Sequence, residues 1–474
     1  MRIIGNDPST PRQAQIVASG TLSTGDAVVV NSDGTVSVVS GIDQVLGSPT
    51  VFESGAMQKI GTAFDSNSNK VVIVYRDGGN AAYGTAIVGT ISGSSVSFGT
   101  PTVFQSAGIS DVSIDFDSSA NKVVVSYNSS GGKSIVGTVS GTSISFGSAV
   151  TVDGGLTTTI QNSATIYDSS NNKTVVVLKD GGNNDNGYAY VGTVSGTSIS
   201  FGSGTLLANS IGNTLVSTYD SNSNKVVVGY SGAKVKVGTV SGTSISFGSE
   251  TDFTANTQIG AMGMAFDTNA NKIVVSYGDF TDNTGKAIVG TVSGTSISFG
   301  TPAAFSTGGE TVDHAAAFDA SAGKVVFAFR DGGNSQYGTV TTGTVSGTSI
   351  SFDTETVFES ARSEYISAVY DSNAEKSLIA YGDVGNSTYG TSVVFAPGST
   401  NLTSENYIGT AASGAADTQR AKINLKGAVD ENQSGLTAGQ SYYVQTDGTL
   451  GTTPADPSVF AGTAVAATKI IVKG

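Results

Sequence analysis

The chain repeats itself seven times, and that repeat constrains its fold more than any other feature. A Phe/Tyr-Asp pair recurs at Phe64-Asp65, Phe116-Asp117, Tyr167-Asp168, Tyr219-Asp220, Phe266-Asp267, Phe318-Asp319 and Tyr370-Asp371, at spacings of 52, 51, 52, 47, 52 and 52 residues. A lysine follows each aspartate five positions later, at Lys70, Lys122, Lys173, Lys225, Lys272, Lys324 and Lys376. A period of this length, written in strands and turns, predicts propeller blades.

One repeat reads as four strands, A to D. In residues 59–104 these are Lys59–Asp65, Lys70–Tyr75, Thr85–Ile91 and Ser95–Phe104. Val, Ile and Thr dominate them, which disfavours helix. The unbroken apolar run of the second strand suits a sheet covered on both faces, as a blade between two blades is. Gly-Thr pairs between strands C and D (Gly141-Thr142, Gly196-Thr197, Gly242-Thr243, Gly294-Thr295, Gly347-Thr348) are the signature of a two-residue type II′ hairpin. The loop between A and B ends in Asn69, Asn121, Asn172, Asn224, Asn271 and Gly323, residues that tolerate positive φ; Glu375 breaks the pattern in the seventh copy.

The seventh copy lacks its own strand D, because Pro397-Gly398 interrupts it. Near the N-terminus, Val45–Phe52 mirrors Ser97–Phe104 at an offset of 52 residues. An N-terminal strand that completes the last blade closes a ring and removes two open sheet edges. The expectation is therefore an all-β chain: a seven-bladed β-propeller over residues 40–398, closed by strand 43–52, inserted in a small β domain built from residues 1–39 and 399–474.

Composition bounds the chemistry. There is no cysteine, so neither a disulfide framework nor a thiolate metal site is available, and a single histidine excludes a multi-histidine site. No cofactor and no metal are expected. The net charge of −14, without a Lys/Arg cluster, makes nucleic acid and anionic membranes poor partners. No signal-peptide pattern stands near Met1 and no apolar run approaches membrane-spanning length, so a soluble product without a Sec-type signal is expected.

The two ends echo one another. Leu22, Gly25, Val30 and Asp33-Gly34-Thr35 align with Leu436, Gly439, Val444 and Asp447-Gly448-Thr449 at an offset of 414 residues, each reading as strand, Asp-Gly turn, strand. The C-terminal stretch GLTAGQSYYVQTDGTLGTTPADPSVFAGTAVAATKIIVKG, Gly435 to Gly474, resembles the ends of structural proteins of tailed bacteriophages, particularly marine ones. The VGTVSGTSISFG copies, Val136–Gly147, Val191–Gly202, Val237–Gly248 and Val289–Gly300, are similar to arrays in phage tail fibres and virion appendages. The resemblance covers most of the chain. It implies a virion component, assembled in the host cytoplasm and joined to other virion proteins through the terminal β domain, with a role in host recognition and adhesion. A homo-oligomer in the virion is compatible with it.

Comparison among the copies locates candidate binding residues. The A–B and C–D loops are nearly uniform, whereas the B–C and D–A loops vary, so one face reads as scaffold and the other as free to specialise. Five positions before each aromatic stand Lys59, Asp111, Asn162, Thr214, Ala261, Asp313 and Tyr365, predicted to ring one mouth of the channel. A second tier on the B–C loops comprises Arg76-Asp77, Lys179-Asp180, Asp279, Arg330-Asp331 and Asp383, with Tyr83, Tyr188, Tyr337 and Tyr389. Tyrosines, carboxylates and amides suit stacking on sugars and bonding their hydroxyls; Asp-Gly-Gly-Asn is better explained as turn chemistry. The Asp-x-Asn-x-Asn of the A–B loops lacks the glycine and distal glutamate of a calcium loop and reads as an Asx turn. His314 replaces an apolar residue and reads as a core or inter-blade histidine rather than a catalytic one. Asp115 stands where other copies carry alanine, either lining the channel or solvated without a role.

Three functions fit. The first is a phage appendage presenting a propeller face to a cell-surface glycan or protein receptor. The second is a purely architectural capsid or tail decoration protein. The third is a glycan-degrading enzyme, which needs paired carboxylates near the mouth; its set would be Asp111, Asp115, Asp313 and Glu364, scattered over the second, sixth and seventh copies. That scatter argues against an enzyme.

Overall fold

The computed structural model describes residues 12–152, 160–256, 258–455 and 457–473. The first eleven residues of the expected terminal domain lie outside the described residues, as do Asp456 and Gly474 of the C-terminal stretch. The chain is all-β, and it divides into two compact units, Val45–Pro397 and Met1–Gln44 with Gly398–Gly474.

In the larger unit each sequence repeat is an antiparallel sheet in the order A-B-C-D. The third repeat shows the pattern: Ile160–Asp168 (A) pairs with Lys173–Asp180 (B), B with Asn186–Ser195 (C), and C with an outer strand in two pieces, Ser198–Phe201 and Thr205–Ala208 (D). Strand B alternates between two cores. In the first repeat Val72 and Val74 pack toward the second repeat, while Val71, Ile73 and Tyr75 pack with Leu378, Ala380 and Val394 of the seventh. Period-two alternation with both faces covered explains the unbroken apolar run. Strand A of each repeat lies against strand A of the next, and Thr50–Asp65 lies against Thr356–Asp371, the strand A of the seventh. This is β-propeller architecture.

The seventh sheet takes its outer strand from near the N-terminus. Val45–Leu46 and the start of Thr50–Asp65 pair with Tyr389–Ala396, with Leu46 opposite Phe395 and Thr50 opposite Ser392.

The loops account for their uniformity. Each repeated Asp is buried, and its Oδ1 accepts the N–H groups two and three residues on; Asp220 takes Asn222 and Ser223, both at 2.9 Å. This is an Asx turn, closed by a left-handed residue from Asn69 (φ 54°) to Asn271 (φ 55°). Glu375 adopts φ 54° in the same slot, so the turn keeps its geometry even without Asn or Gly. In the C–D turns Gly is left-handed, φ 61° at Gly242, and Thr is not, as type II′ requires.

A second glycine, in the break of strand D, has a different cause. A Cβ on Gly202 would stand 2.0 Å from the carbonyl oxygen of Thr243, in the C–D turn of the next repeat. Gly99 meets Thr142, Gly147 meets Thr197, Gly248 meets Thr295, Gly300 meets Thr348, and Gly47 meets Ser94, all at 1.9–2.0 Å. The sixth repeat has Asp353 instead, where the following repeat has no Gly-Thr turn; its carboxylate pairs with Lys324 at 2.8 Å.

In the smaller unit one five-stranded sheet runs in the order Gln13–Val17, Arg420–Asn424, Tyr407–Ala411, Ala27–Val30, Val36–Val38. A second runs Val429–Asp430, Lys469–Val472, Val459–Ala466, Ser441–Val444, Leu450–Gly451. Ala27, Val29 and Tyr407 of the first share a core with Tyr442, Val444 and Ile470 of the second. The echoed Asp-Gly-Thr turns are alike: Thr35 N–H donates to Asp33 and Thr449 N–H to Asp447, each at 2.9 Å. Among the described residues no helix is long and apolar enough to cross a membrane.

Gly202→Ala is expected to destabilise the protein by about 1–3 kcal/mol through overpacking. Asp353→Asn, at the matching position, keeps an acceptor for the Thr342 hydroxyl and removes only the ion pair with Lys324, worth at most about 1 kcal/mol. Urea denaturation distinguishes them, and equal shifts would mean that the approach of the neighbouring turn is not what demands glycine.

Candidate functional site

The innermost strands surround a cavity of about 270 Å³ lined by small and apolar residues, among them Gly61, Ser113, Ala164, Ser217, Gly263, Ala316 and Ser367. Hydroxyls tie neighbouring strands across it: Thr62 with Ser367 at 2.9 Å and Ser113 with Thr165 at 2.8 Å. His314 is buried beside Phe305 and Phe329, with Nε2 3.0 Å from Thr311 Oγ1 and Nδ1 3.4 Å from Ser276 Oγ. Burial holds its imidazole neutral, lowering its pKa to about 4. It belongs to the packing between repeats five and six.

Asp115 neither lines the channel freely nor stands solvated. It accepts the N–H of Phe116 at 2.8 Å and, across the repeat boundary, that of Tyr167 at 2.7 Å; burial pushes its pKa up to about 6. Asp111 makes the same kind of tie, accepting both the N–H and the hydroxyl of Ser163 at 2.6 and 2.7 Å, with Lys59 at 3.8 Å. Asp111 is buried, that burial raises its carboxyl pKa, and its bonds to Ser163 make it an inter-repeat strut. Asp77 and Asp331 are buried as well, and Asp331 accepts the N–H of Gly333 at 2.9 Å, which is turn chemistry.

The remaining candidates gather where strands A begin and strands B end. In five repeats strand A carries an extra residue against strand B: the register shifts between Gln58 and Ile60, Ile160 and Ser163, Ile259 and Met262, Val312 and Ala315, and Glu364 and Ser367. Lys59, Asp313 and Tyr365 sit in these bulges with φ of 46°, 51° and 54°. Left-handed Lys and Tyr are uncommon and strained by about 1–2 kcal/mol each, and bulges re-aim side chains. Asn162 occupies the bulge of the third repeat and donates its amide to the carbonyl of Asn213.

Cations at the ends of strands B reach toward the strand A of the following repeat. Lys179, almost wholly buried, donates to Asn213 Oδ1 at 2.6 Å and pairs with Asp185 at 3.3 Å. Arg330 pairs with Asp313 at 3.1 Å and Glu364 at 3.4 Å, and Arg362 joins Glu364. Arg76 donates from Nε to the carbonyl of Ile109 at 2.8 Å. Arg76 and Tyr365 line a second cavity of about 220 Å³ with Gln58, Lys59, Ile109 and Ser110. Tyr83, Tyr337 and Tyr389 are half-buried at the start of their strands C, opposite Asp77, Asp331 and Asp383.

The sequence reading passed over Gln58, Ser110 and Arg362, and valued Glu364 only as a catalytic acid. The equal spacing of Lys59 to Arg76 and of Asp313 to Arg330 is visible in the residues, but a bulge leaves little mark when Lys, Asp or Tyr occupies it. The four acids weighed for glycan hydrolysis are all engaged: Asp111 and Asp115 by backbone N–H groups, Asp313 and Glu364 by Arg330.

No protein-family model matches the chain, and no curated protein sequence does. Similar solved structures include the Cps50 (Swd1) β-propeller domain from Myceliophteria thermophila, at 8% identity and TM-score 0.49, covering 74% of this chain and 99% of that one. Another is a protein from Lactobacillus plantarum, at 12% identity and TM-score 0.46, covering 73% of this chain and 96% of that one. Likenesses of this depth carry nothing about function.

His314 is the only histidine, so its imidazole resonances titrate alone. They are expected to stay in the neutral form down to pH 5 and to move with a midpoint near 4. Because the folded pKa lies below the ordinary value, stability is full above about pH 6.5 and falls as pH drops toward 4. A midpoint near 6.5 in the folded protein would show the ring to be solvated.

Proposed function

We propose that the chain is a virion structural protein of tail-fibre or appendage type, whose propeller presents the B–C/D–A face to a host-cell glycan. The reading combines the resemblance of its repeats and C-terminal stretch to phage appendage proteins with one geometric asymmetry. On the A–B/C–D face the repeated side chains and glycines serve Asx turns and the close approach of neighbouring turns. On the other face, left-handed bulges hold Lys59, Asp313 and Tyr365 beside Arg76, Arg330 and Glu364. Such irregularity is expensive for a scaffold and ordinary for a recognition surface.

In this reading the seven repeats are seven blades of one closed ring, inserted in a terminal β domain that joins other virion proteins. The pairing of Val45–Leu46 with Tyr389–Ala396, and the contact of the first and seventh strands A, support the closure. The protein is a binder rather than an enzyme, since its channel-side carboxylates are spent on backbone N–H groups and arginines.

Deleting residues 1–48 should therefore lower the melting temperature of the entire propeller; an unchanged transition by circular dichroism would sink the closure. Purified protein should adsorb to host cells. Tyr365→Ala and Tyr337→Ala should each weaken adsorption about five- to hundredfold, as aromatic anchors at an interface centre do, while Thr243→Ala leaves it intact. Loss with Thr243→Ala alone, among folded variants, would reverse the face. No adsorption by the wild type would favour the architectural decoration role.

A further inference from the structure

Three strands B end in a cation that reaches the next repeat, and two of the three are neutralised by carboxylates: Lys179 by Asp185, and Arg330 by Asp313 and Glu364. The third is not. In the first repeat the bulge position that holds Asp313 in the sixth is occupied by Lys59, a second cation. Arg76 is fixed by its Nε bond to the Ile109 carbonyl, and among the described residues its terminal nitrogens meet neither a carboxylate nor another acceptor. Lys59 is 42% exposed, and its one partner among the described residues, Asp111, is buried and already holds both donors of Ser163. The cavity between these two cations also presents the Gln58 amide, the Ser110 hydroxyl and the half-buried ring of Tyr365.

We infer that this cavity takes the carboxylate of a hexuronic acid residue in an acidic glycan. A guanidinium held by one nitrogen offers its remaining N–H pair as a planar fork, which matches a carboxylate bidentately. Lys59 adds a second charge, Gln58 and Ser110 supply the donor–acceptor groups that sugar hydroxyls need, and Tyr365 supplies a flat wall for a pyranose face. A volume of about 220 Å³ holds one sugar residue rather than an oligomer. Elsewhere a net charge of −14 repels polyanions, so a single cationic cavity also fixes where an acidic chain settles. An acidic peptide shares the carboxylate but has no use for the aromatic wall beside two hydroxyl-seeking groups. The inference deepens the glycan-binding reading above and rests on it.

The test is calorimetry of the full chain at pH 7 with a tetramer of galacturonic acid, a tetramer of galactose and a tetraglutamate peptide. The tetragalacturonate is expected to bind at least tenfold more tightly than either alternative, and more weakly as NaCl rises. Arg76→Gln should reduce that affinity at least tenfold, Arg76→Lys should restore part of it, and Lys469→Gln, in the other unit, should leave it unchanged. Unaltered melting of the Arg76 variants keeps a loss of binding separate from a loss of fold. Equal binding of the neutral tetramer, insensitive to Arg76, would overturn carboxylate recognition while leaving a glycan-binding face in place. Equal binding of tetraglutamate would transfer the site to acidic peptides. Failure of all three probes, with host-cell adsorption intact and sensitive to Tyr365→Ala, would discard the uronate and keep the parent reading.

Discussion

The approach of each C–D turn to the broken strand D of the preceding repeat is the contact on which the larger unit depends. It brings a backbone carbonyl to within about 2 Å of where a Cβ would be, so only glycine fits, and it recurs from Gly47 against Ser94 to Gly300 against Thr348. Its spacing sets how near neighbouring sheets lie, and so the depth of the shared cores in which the strand B valines are buried. Buried hydroxyls add directed ties: Tyr75, Tyr127 and Tyr381 donate to Glu53, Gln105 and Glu359, each on the outer strand of the preceding sheet. Close-packed backbones leave little freedom to vary the turns on that face, which is why they are alike.

Asp353 shows the rule by its exception. The repeat that follows it has no Gly-Thr turn, the steric demand vanishes, and a charged side chain stands where the six other repeats have glycine. The A–B loop gives the complementary lesson. There the demand is a left-handed backbone rather than space, and Glu375 meets it with φ 54° at an energetic cost that the surrounding Asx turn of Asp371 covers. Space is absolute; backbone conformation is negotiable.

The difference explains what could be read from the residues alone. Strands, turn types and the borrowed outer strand were legible because each leaves a compositional mark: alternating β-branched residues, Gly-Thr, and a displaced copy of a neighbouring sequence. The mouth was legible only as positions. That Lys59, Asp313 and Tyr365 occupy equivalent bulges was hidden, since Lys and Tyr do not favour positive φ and one Asp is too little to mark it. Asp111 and Asp115 looked like free acids because their partners, the N–H groups of Ser163 and Tyr167, lie 52 residues away on another repeat. A carboxylate's role depends on what faces it across a boundary that periodicity alone does not orient.

A repeated scaffold makes local departures informative. Within the larger unit the same strand B position holds Lys179, Arg330 and Arg76, and the same strand A bulge holds Asn162, Asp313 and Lys59. Where bulge and cation are complementary, as in the sixth repeat, the pair satisfies itself and offers a partner little. Where both are basic, Arg76 meets no carboxylate among the described residues, and Lys59 leans on Asp111 of the next repeat. The bulge holds the Lys59 backbone in a strained conformation whichever side chain it carries, so a lysine there lets two like charges converge on one cavity instead of closing an ion pair with Arg76. A fold stabilised by contacts on one face can carry that unresolved charge on the other, because the inter-repeat glycines and cores do not involve it.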